Sequence, residues 1–306
     1  MRVETIILFA FFVGGTVTAT PRPPADTIEE IQVSDLLIAA NESLRAQGMD
    51  YLIEGVEFLS SSKGRQSFQL HRQDYGWVLQ DPRRSETRFP GLTWAVDRSW
   101  LEVSTHRSDF DALAKSLTRV ATAWNQSSCL TAPVLHPRIP DTEDLTVADA
   151  VLGQGGFGSP LVVDIVVGGF RSDLESLFGP TTLAFTITFV FVDAAGEPTD
   201  IDRDGRMDTA TTEIYLNDAL AWSFDAVPPA GSFDVATVAL HELGHALGLP
   251  HFGAPPVASM NPSYRGPAPV PTAVDQAALC SLLAGHALYD HEPEEPTAAA
   301  PGPSVE

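Results

Sequence analysis

Cysteine and basic residues are scarce in this chain of 306 residues. It has 2 cysteines, and its 18 lysines and arginines face 40 aspartates and glutamates, which gives a formal net charge of −22. So acidic a chain repels phosphate backbones and anionic lipid, which argues against nucleic acid or an anionic membrane as a partner. The glycine-containing stretch 153–158 lacks the lysine and the hydroxyl residue of a phosphate-binding loop. The absences therefore disfavour nucleotide and nucleic-acid functions.

Apolar runs long enough to cross a bilayer are also absent from the sequence. The apolar run 6–13 follows Arg2 and is followed by small residues up to Ala19. This arrangement predicts a secretory signal peptide over 1–19, cut after Ala19, with an uncleaved N-terminal anchor as the alternative. We therefore expect a secreted or extracytoplasmic protein, periplasmic or extracellular, without a membrane span.

The two cysteines are Cys129 and Cys280. In an exported chain, two cysteines indicate one disulfide, here between the end of an early helix and the last helix. Two unpaired buried thiols are the alternative.

The sequence HELGHALGLPH, which begins at His241, predicts a metal site. His241 and His245 stand four residues apart, so on a helix both imidazoles project from one face and can bind one metal ion. Glu242 lies beside the first ligand, where it can hold a water molecule. Gly248 can end the helix with a positive φ at little cost, and the turn then returns His251 as a third ligand. Three imidazoles and one open position are typical of catalytic zinc.

This motif and Met260, a few residues further on, resemble the signature of the metzincin zinc metallopeptidases, HExxHxxGxxH followed by a methionine turn. The Met-x-Pro-x-Tyr pattern is similar to that of the matrixins, the M10-type peptidases. This resemblance implies that Pro262 and Tyr264 line the substrate pocket. The resemblance is to the bacterial style of secreted enzyme. It implies an α+β fold, with a twisted mixed five-stranded sheet, three main helices and a small C-terminal subdomain below the zinc cleft.

The resemblance also implies one catalytic Zn²⁺, bound by His241, His245 and His251, and a protein or peptide substrate. Zinc lowers the pKa of its water to about 7, and Glu242 would be the general base that takes the proton during peptide-bond hydrolysis. The substrate would lie extended and antiparallel to an edge strand, which we place at residues 183–184. We therefore predict a secreted zinc-dependent endopeptidase. The sequence does not indicate its oligomeric state.

A second metal site is predicted in the acidic stretch DIDRDGRMD, which begins at Asp200. Its spacing follows the first nine positions of an EF-hand loop, in which alternating carboxylates and a sharp glycine turn surround one Ca²⁺. Position twelve is Thr211 rather than a bidentate glutamate, and no helices are predicted to flank the loop. A structural Ca²⁺ is favoured over a plain acidic turn, with four side chains as ligands: Asp200, Asp202, Asp204 and Asp208.

The domain organisation follows from where the resemblance begins and ends. We predict a catalytic domain over 87–290 and a disordered tail over 291–306, since the tail has almost nothing apolar to bury. The segment 20–86 is either a prosegment or a set of extra strands. Its dibasic turn, 81–84, is a processing site or a charged loop, and we favour the loop.

Latency is a separate question for a chain of this kind. Matrixins are commonly held inactive by a prosegment cysteine, and no cysteine precedes Cys129 here. A carboxylate could take the place of the thiolate, with Asp81 as the candidate. We nevertheless expect the chain, once cut after Ala19, to be active without further processing.

A non-catalytic protein is the alternative function. The acidic loop suggests a calcium-dependent binding or adhesion protein on a metzincin scaffold. All five signature positions are intact, which favours the enzyme. Hydrolysis that is lost on Glu242→Ala would separate the two hypotheses.

Overall fold

The computed structural model describes residues 25–62, 67–71, 73–79, 81–84, 91–102, 104–127, 129–130, 132–139, 144–147 and 161–286. The predicted signal peptide, 1–19, and the predicted tail, 291–306, lie outside the described residues.

Helices occupy both ends and the middle of the described chain. They are α1 (Ala25–Ala46), α2 (Phe110–Asn125), α3 (Leu174–Phe178), α4 (Val235–Ala246) and α5 (Ala273–His286). Single 3₁₀ turns lie at Ser99–Glu102 and Arg107–Asp109. Among the helices of the described residues, none is both long and apolar enough to cross a bilayer.

Most strands join one large sheet. They are β1 (Tyr51–Ser60), β2 (Ser67–Gln69), β3 (Tyr75–Gly76), β4 (Leu92–Val96), β5 (Leu135–Pro137), β6 (Ile165–Arg171), β7 (Thr182–Phe191) and β8 (Met207–Asn217). The spatial order is β2-β1-β7-β8-β6-β4-β5, and β3 pairs with β8. Two short strands, β9 (Trp222–Ser223) and β10 (Phe233–Asp234), pair separately.

The predicted α+β class with a mixed sheet is confirmed. Strands β5, β4, β6 and β8 run parallel to their neighbours, whereas β7 is antiparallel to β8, and β1 is antiparallel to β7. The expectation of five strands was too small, because the described chain has eight in this sheet. The three additional strands, β1 to β3, all come from the N-terminal segment.

The sheet is covered on both faces, which explains why most residues of its long strands are apolar or β-branched. Every residue of β1, β7 and β8 is buried, as expected for strands packed on both sides. One face packs against α2 and α4, and α2 contributes an apolar stripe that includes Leu113, Leu117 and Trp124. The other face packs against α1 and α3.

The strand around residues 183–184 is not an edge, so that prediction was wrong. Strand β7 pairs with β8 on one side and with β1 on the other, with Leu59 opposite Ala184. The amide of Asn41 in α1 bonds both backbone groups of Ile53, and so ties α1 to β1 beside a bulge. Strand β1, which lies outside the predicted catalytic domain, therefore occupies the position beside β7.

Buried polar contacts join the N-terminal segment to the rest of the molecule. The guanidinium of Arg84 donates to both carboxylate oxygens of Asp164, at 2.6 and 2.7 Å, and both side chains are buried. Trp77 donates its indole N–H to the carbonyl of Ala246, at the end of α4. Burial of Arg84 disfavours the dibasic turn as a processing site in this state.

Cys129 and Cys280 form a disulfide, with their Cα atoms 5.7 Å apart. The bond links the chain just after α2 to α5. It closes a loop of 151 residues that contains the whole predicted metal motif. Closing so long a loop restricts the unfolded chain strongly.

Truncation of Arg84 tests the docking of the N-terminal segment. Arg84→Ala removes the ion-pair partner of the buried Asp164, and should lower the free energy of unfolding by about 3–5 kcal/mol in urea titrations. The control is Arg119→Ala, an exposed position on α2, which should change it by less than about 0.5 kcal/mol. Equal effects of the two substitutions would contradict a structural role for the Arg84 pair.

Candidate active site

Helix α4 presents the first two predicted ligands, and it is almost wholly buried. Its first turn is capped by Asp234, whose carboxylate accepts the backbone N–H of Thr237 at 2.9 Å. His241 and His245 follow on one face and are 1% and 3% exposed. A cap at the first turn satisfies N–H groups that would otherwise be buried without partners.

A glycine turn returns the third imidazole to the same point. Gly248 has a φ of +97°, the left-handed conformation that the sequence predicts for it. Its N–H donates to the carbonyl of His245, and the N–H of Leu249 donates to Gly244. Residue 251 then lies against the helix, so its imidazole meets those of His241 and His245.

The three Nε2 atoms converge. His241 Nε2 lies 2.9 Å from that of His245 and 3.2 Å from that of His251, and the remaining pair is 3.2 Å apart. A tetrahedral zinc with Zn–N bonds of about 2.0–2.1 Å requires nitrogens about 3.3–3.4 Å apart. The observed triangle is within a few tenths of an ångström of that requirement, so these residues fit a zinc ion.

Hydrogen bonds and burial set the right protonation state for ligands. The Nδ1–H groups of His241 and His245 donate to the carbonyls of Ser259, at 2.6 Å, and Leu249, at 2.8 Å, which leaves each Nε2 lone pair free. Burial, with a smaller effect of His251, lowers the pKa of His241 to about 3. Burial also lowers the pKa of His251 to about 4 and that of His245 well below its ordinary value. All three are neutral imidazoles at neutral pH.

Glu242 is fully buried beside this triad. Its Oε2 accepts the hydroxyl of Thr186 in β7 at 2.7 Å, and its Oε1 has no hydrogen-bond partner among the described residues. Burial raises the pKa of Glu242 to about 8; the Thr186 hydrogen bond opposes this rise, and the nearby Glu57 adds to it. One oxygen is thus fixed and the other is available for proton transfer.

Met260 lies under the triad. It is fully buried, and its sulfur would be 2.3 Å from a Cβ placed on Gly244 in α4. The N–H groups of Ser259 and Met260 both donate to the carboxylate of Asp275 in α5. Asp275 was not singled out from the sequence, because a carboxylate near the start of a helix has many possible roles.

A cavity of about 170 Å³ adjoins the triad. His241, Thr237 and Tyr264 line it, and so does Leu59 of β1. The hydroxyl of Tyr264 accepts the N–H of Asp234 at 3.0 Å. Of the two predicted pocket residues, Tyr264 therefore lines this cavity, whereas the carbonyl of Pro262 accepts the N–H of Ser60.

Glu57 is a site residue that the sequence did not reveal. Its Oε2 lies 3.1 Å from Nδ1 of His251, with both side chains 9% exposed. The contact is a close approach without hydrogen-bond geometry, and neither atom has a hydrogen-bond partner in the described part of the chain. Burial raises the pKa of this carboxyl group to about 8. No local motif marks Glu57, because it stands on a strand far from the histidines in sequence.

Asp81, the carboxylate suggested for the zinc, lies elsewhere. It is buried and accepts hydrogen bonds from its neighbour Arg83, so it is not brought to the triad. The carboxylate that reaches the triad is that of Glu57.

The acidic loop brings together three of its four predicted ligands. Carboxylate oxygens of Asp200, Asp202 and Asp208 lie within 4.8 Å of one another, and Asp204 is not in this group. Asp208 is also bonded to Arg83 at 2.8 Å and to Thr199. One buried oxygen of Asp200, Oδ1, has no hydrogen-bond partner among the residues that the structure describes.

Comparison with protein families supplies an independent finding. The family model described as matrixin matches residues 189–280. The match contains α4, all three histidines, Met260 and part of α5. A comparison with curated proteins found no match.

Substitution of Gly244 tests the contact between α4 and the methionine turn. Gly244→Ala places a methyl group 2.3 Å from the Met260 sulfur and 3.1 Å from Trp124. Because both neighbours are fully buried, we expect the free energy of unfolding to fall by about 1–3 kcal/mol. Zinc affinity, measured by competition with a chelator, should also fall.

The matched control is Gly253→Ala, where nothing lies within 4 Å of the new methyl group. It should change neither quantity. Unaltered stability and zinc affinity in Gly244→Ala would show that the methionine turn does not support the triad.

Proposed function

The chain carries a matrixin-like metzincin domain, and from that premise we propose that it is a secreted zinc-dependent endopeptidase. A zinc metallopeptidase is what the family match and the histidine triad support together. Export, endopeptidase specificity and the mechanism below are the further parts of the proposal. Proteins or peptides are the substrates that a peptidase family implies.

The observation that carries the proposal is that the histidine triad lies beside a carboxyl group, that of Glu242, of which only one oxygen has a hydrogen-bond partner in the described residues. Three neutral imidazoles point their lone pairs at one position, and Oε1 of Glu242 is buried beside them without a partner. A buried oxygen of this kind is costly unless a ligand or water occupies the site. A non-catalytic scaffold has no need to keep it, which disfavours the calcium-dependent adhesion protein.

The chain's residues have separate roles in hydrolysis. A bound zinc ion supplies Lewis acidity, which makes water acidic and polarises a carbonyl. Glu242 accepts the proton of the attacking water at Oε1 and later passes it to the amine of the leaving peptide. Thr186 holds the other oxygen of that carboxylate, so that Oε1 keeps its direction. The imidazoles keep their orientation through the carbonyls of Ser259 and Leu249.

Two observations support export. The apolar N-terminus has the form of a signal peptide. The disulfide between Cys129 and Cys280 is typical of oxidising compartments outside the cytoplasm.

Glu242→Ala tests the general base. The variant should keep one zinc per chain by metal analysis, and should hydrolyse casein or a fluorogenic peptide about three orders of magnitude more slowly. Both proteins are assayed intact and again after limited trypsin digestion that is stopped with a trypsin inhibitor. The control is Glu102→Ala, an exposed position. Loss of zinc in Glu242→Ala would make Glu242 a ligand, and equal rates after the digestion would favour the non-catalytic alternative.

A structural calcium ion in the acidic loop is a second part of the proposal. The clustered oxygens of Asp200, Asp202 and Asp208 and the unpartnered Oδ1 of Asp200 support it. The positive φ of Gly205, +85°, makes the sharp turn that such a loop needs. The pairing of Arg83 with Asp208 counts against it, because a guanidinium already neutralises that carboxylate.

Thermal unfolding tests the calcium site. Calcium bound only to the folded state should raise the melting temperature relative to EGTA by several degrees. Asp202→Asn should remove most of this rise, whereas Asp225→Asn, at an exposed position outside the loop, should not. A melting temperature that is the same with calcium and EGTA would make the loop a plain acidic turn.

A further inference from the structure

Substrate access is the difficulty that the structure raises for the proposed peptidase. A peptide carbonyl must come within about 3–3.5 Å of the attacking water, between Glu242 and the triad, for hydrolysis to occur. Yet Glu242 is 0% exposed, and His241 and His245 are 1% and 3% exposed. Something in the chain itself therefore occupies the space above the catalytic groups.

Strand β1 is that occupant. Its side chains alternate between the two faces of the sheet, and Glu57 and Leu59 both point towards the triad. Glu57 contacts His251 at 3.1 Å, and Leu59 lines the cavity next to His241. Phe58, between them, is buried on the opposite face, against α1 and α3.

The backbone of β1 is held along both of its edges, as a bound peptide would be. Along one edge it pairs antiparallel with β7 from Tyr51 to Ser60. On the other edge the N–H of Ser60 donates to Pro262, and its carbonyl accepts the N–H of Tyr264 at 2.9 Å. A peptide that bound by strand addition to β7 would need the same groups of β7 that β1 already uses.

The carboxyl group of Glu57 is buried, and it faces a ligand of the triad from β1. A buried carboxylate is costly unless it has a partner. In the described structure Oε2 of Glu57 lies against the imidazole of His251 and has no hydrogen-bond partner. Glu54, on the same strand, shows the ordinary arrangement: it bonds His71 away from the triad, at 2.5 Å.

We propose that β1 is a built-in occupant of the active site, anchored over the triad by Glu57, and that the full chain is therefore latent. The inference rests on the proposed peptidase function. Hydrolysis requires residues 51–60 to leave β7, which opens the cavity and the space above Glu242. The expectation that the chain is active without further processing is replaced by this proposal. The occupant uses no cysteine, and the anchoring carboxylate is Glu57 rather than Asp81.

Metal-site access tests the proposal without relying on peptidase activity. The full chain is loaded with Co²⁺ in place of zinc, and acetohydroxamate, a small ligand for such metals, is added while the visible absorption is followed. Intact wild-type protein should show little change. Limited trypsin digestion that releases residues 51–60, verified by mass spectrometry, should make the spectrum respond. In the zinc form, the same digestion should raise peptide turnover at least about tenfold, because it increases the fraction of accessible sites.

Two matched variants isolate the anchor in the intact chain. Glu57→Ala should open the Co²⁺ site to acetohydroxamate and raise turnover at least about tenfold over wild type. Glu54→Ala removes a buried carboxylate and its histidine contact from the same strand, but not from the triad, and should do neither. Circular dichroism and intact mass establish that each variant is folded and uncut.

The outcomes separate the two proposals. A response of intact wild type as large as that of the digested protein would overturn the occupant, as would equal opening by Glu54→Ala and Glu57→Ala. A spectrum that stays unresponsive after residues 51–60 are released would also overturn it. Failure to bind Co²⁺ or zinc at all would instead overturn the proposed function.

Discussion

The antiparallel ladder between β1 and β7 is the interaction on which the rest of the site depends. It places Glu57 beside His251 and Leu59 beside the cavity, and it removes the edge that a peptide could join. Its strength comes from burial on both faces, since α1 and α3 cover one side and α4 the other. A strand packed in this way separates from its neighbour only at a considerable cost in apolar surface.

The electrostatic character of the site follows from the same burial. Excluding water lowers the pKa values of the three histidines and raises those of Glu57 and Glu242. Neutral imidazoles are what a divalent cation needs as ligands, so burial favours metal binding at the triad.

Local sequence predicted the parts of the site that depend on short spacings. The repeat of four between two histidines, the glycine three residues later and the third histidine all act within one helix and one turn, so their geometry follows from backbone rules. The apolar stripe of α2 is of the same local kind, because it depends on helical periodicity. The α+β class was implied by the resemblance to the metzincins. Asp275 and Glu57 escaped prediction because their partners, Met260 and His251, lie far from them in sequence or in another element.

By itself, the sequence determined the metal chemistry of this protein, because side-chain type and spacing settle which atoms can meet around one ion. Only the tertiary structure decided whether those atoms can be reached. The strand-like pattern of residues 51–60 is compatible with a prosegment, an outer strand or a central strand. The alternation of side chains along a strand does not specify which strands pair with it. Pairing depends on long-range contacts, here the ladder of β1 with β7, the packing of α1 over it and the buried ion pair of Arg84 and Asp164.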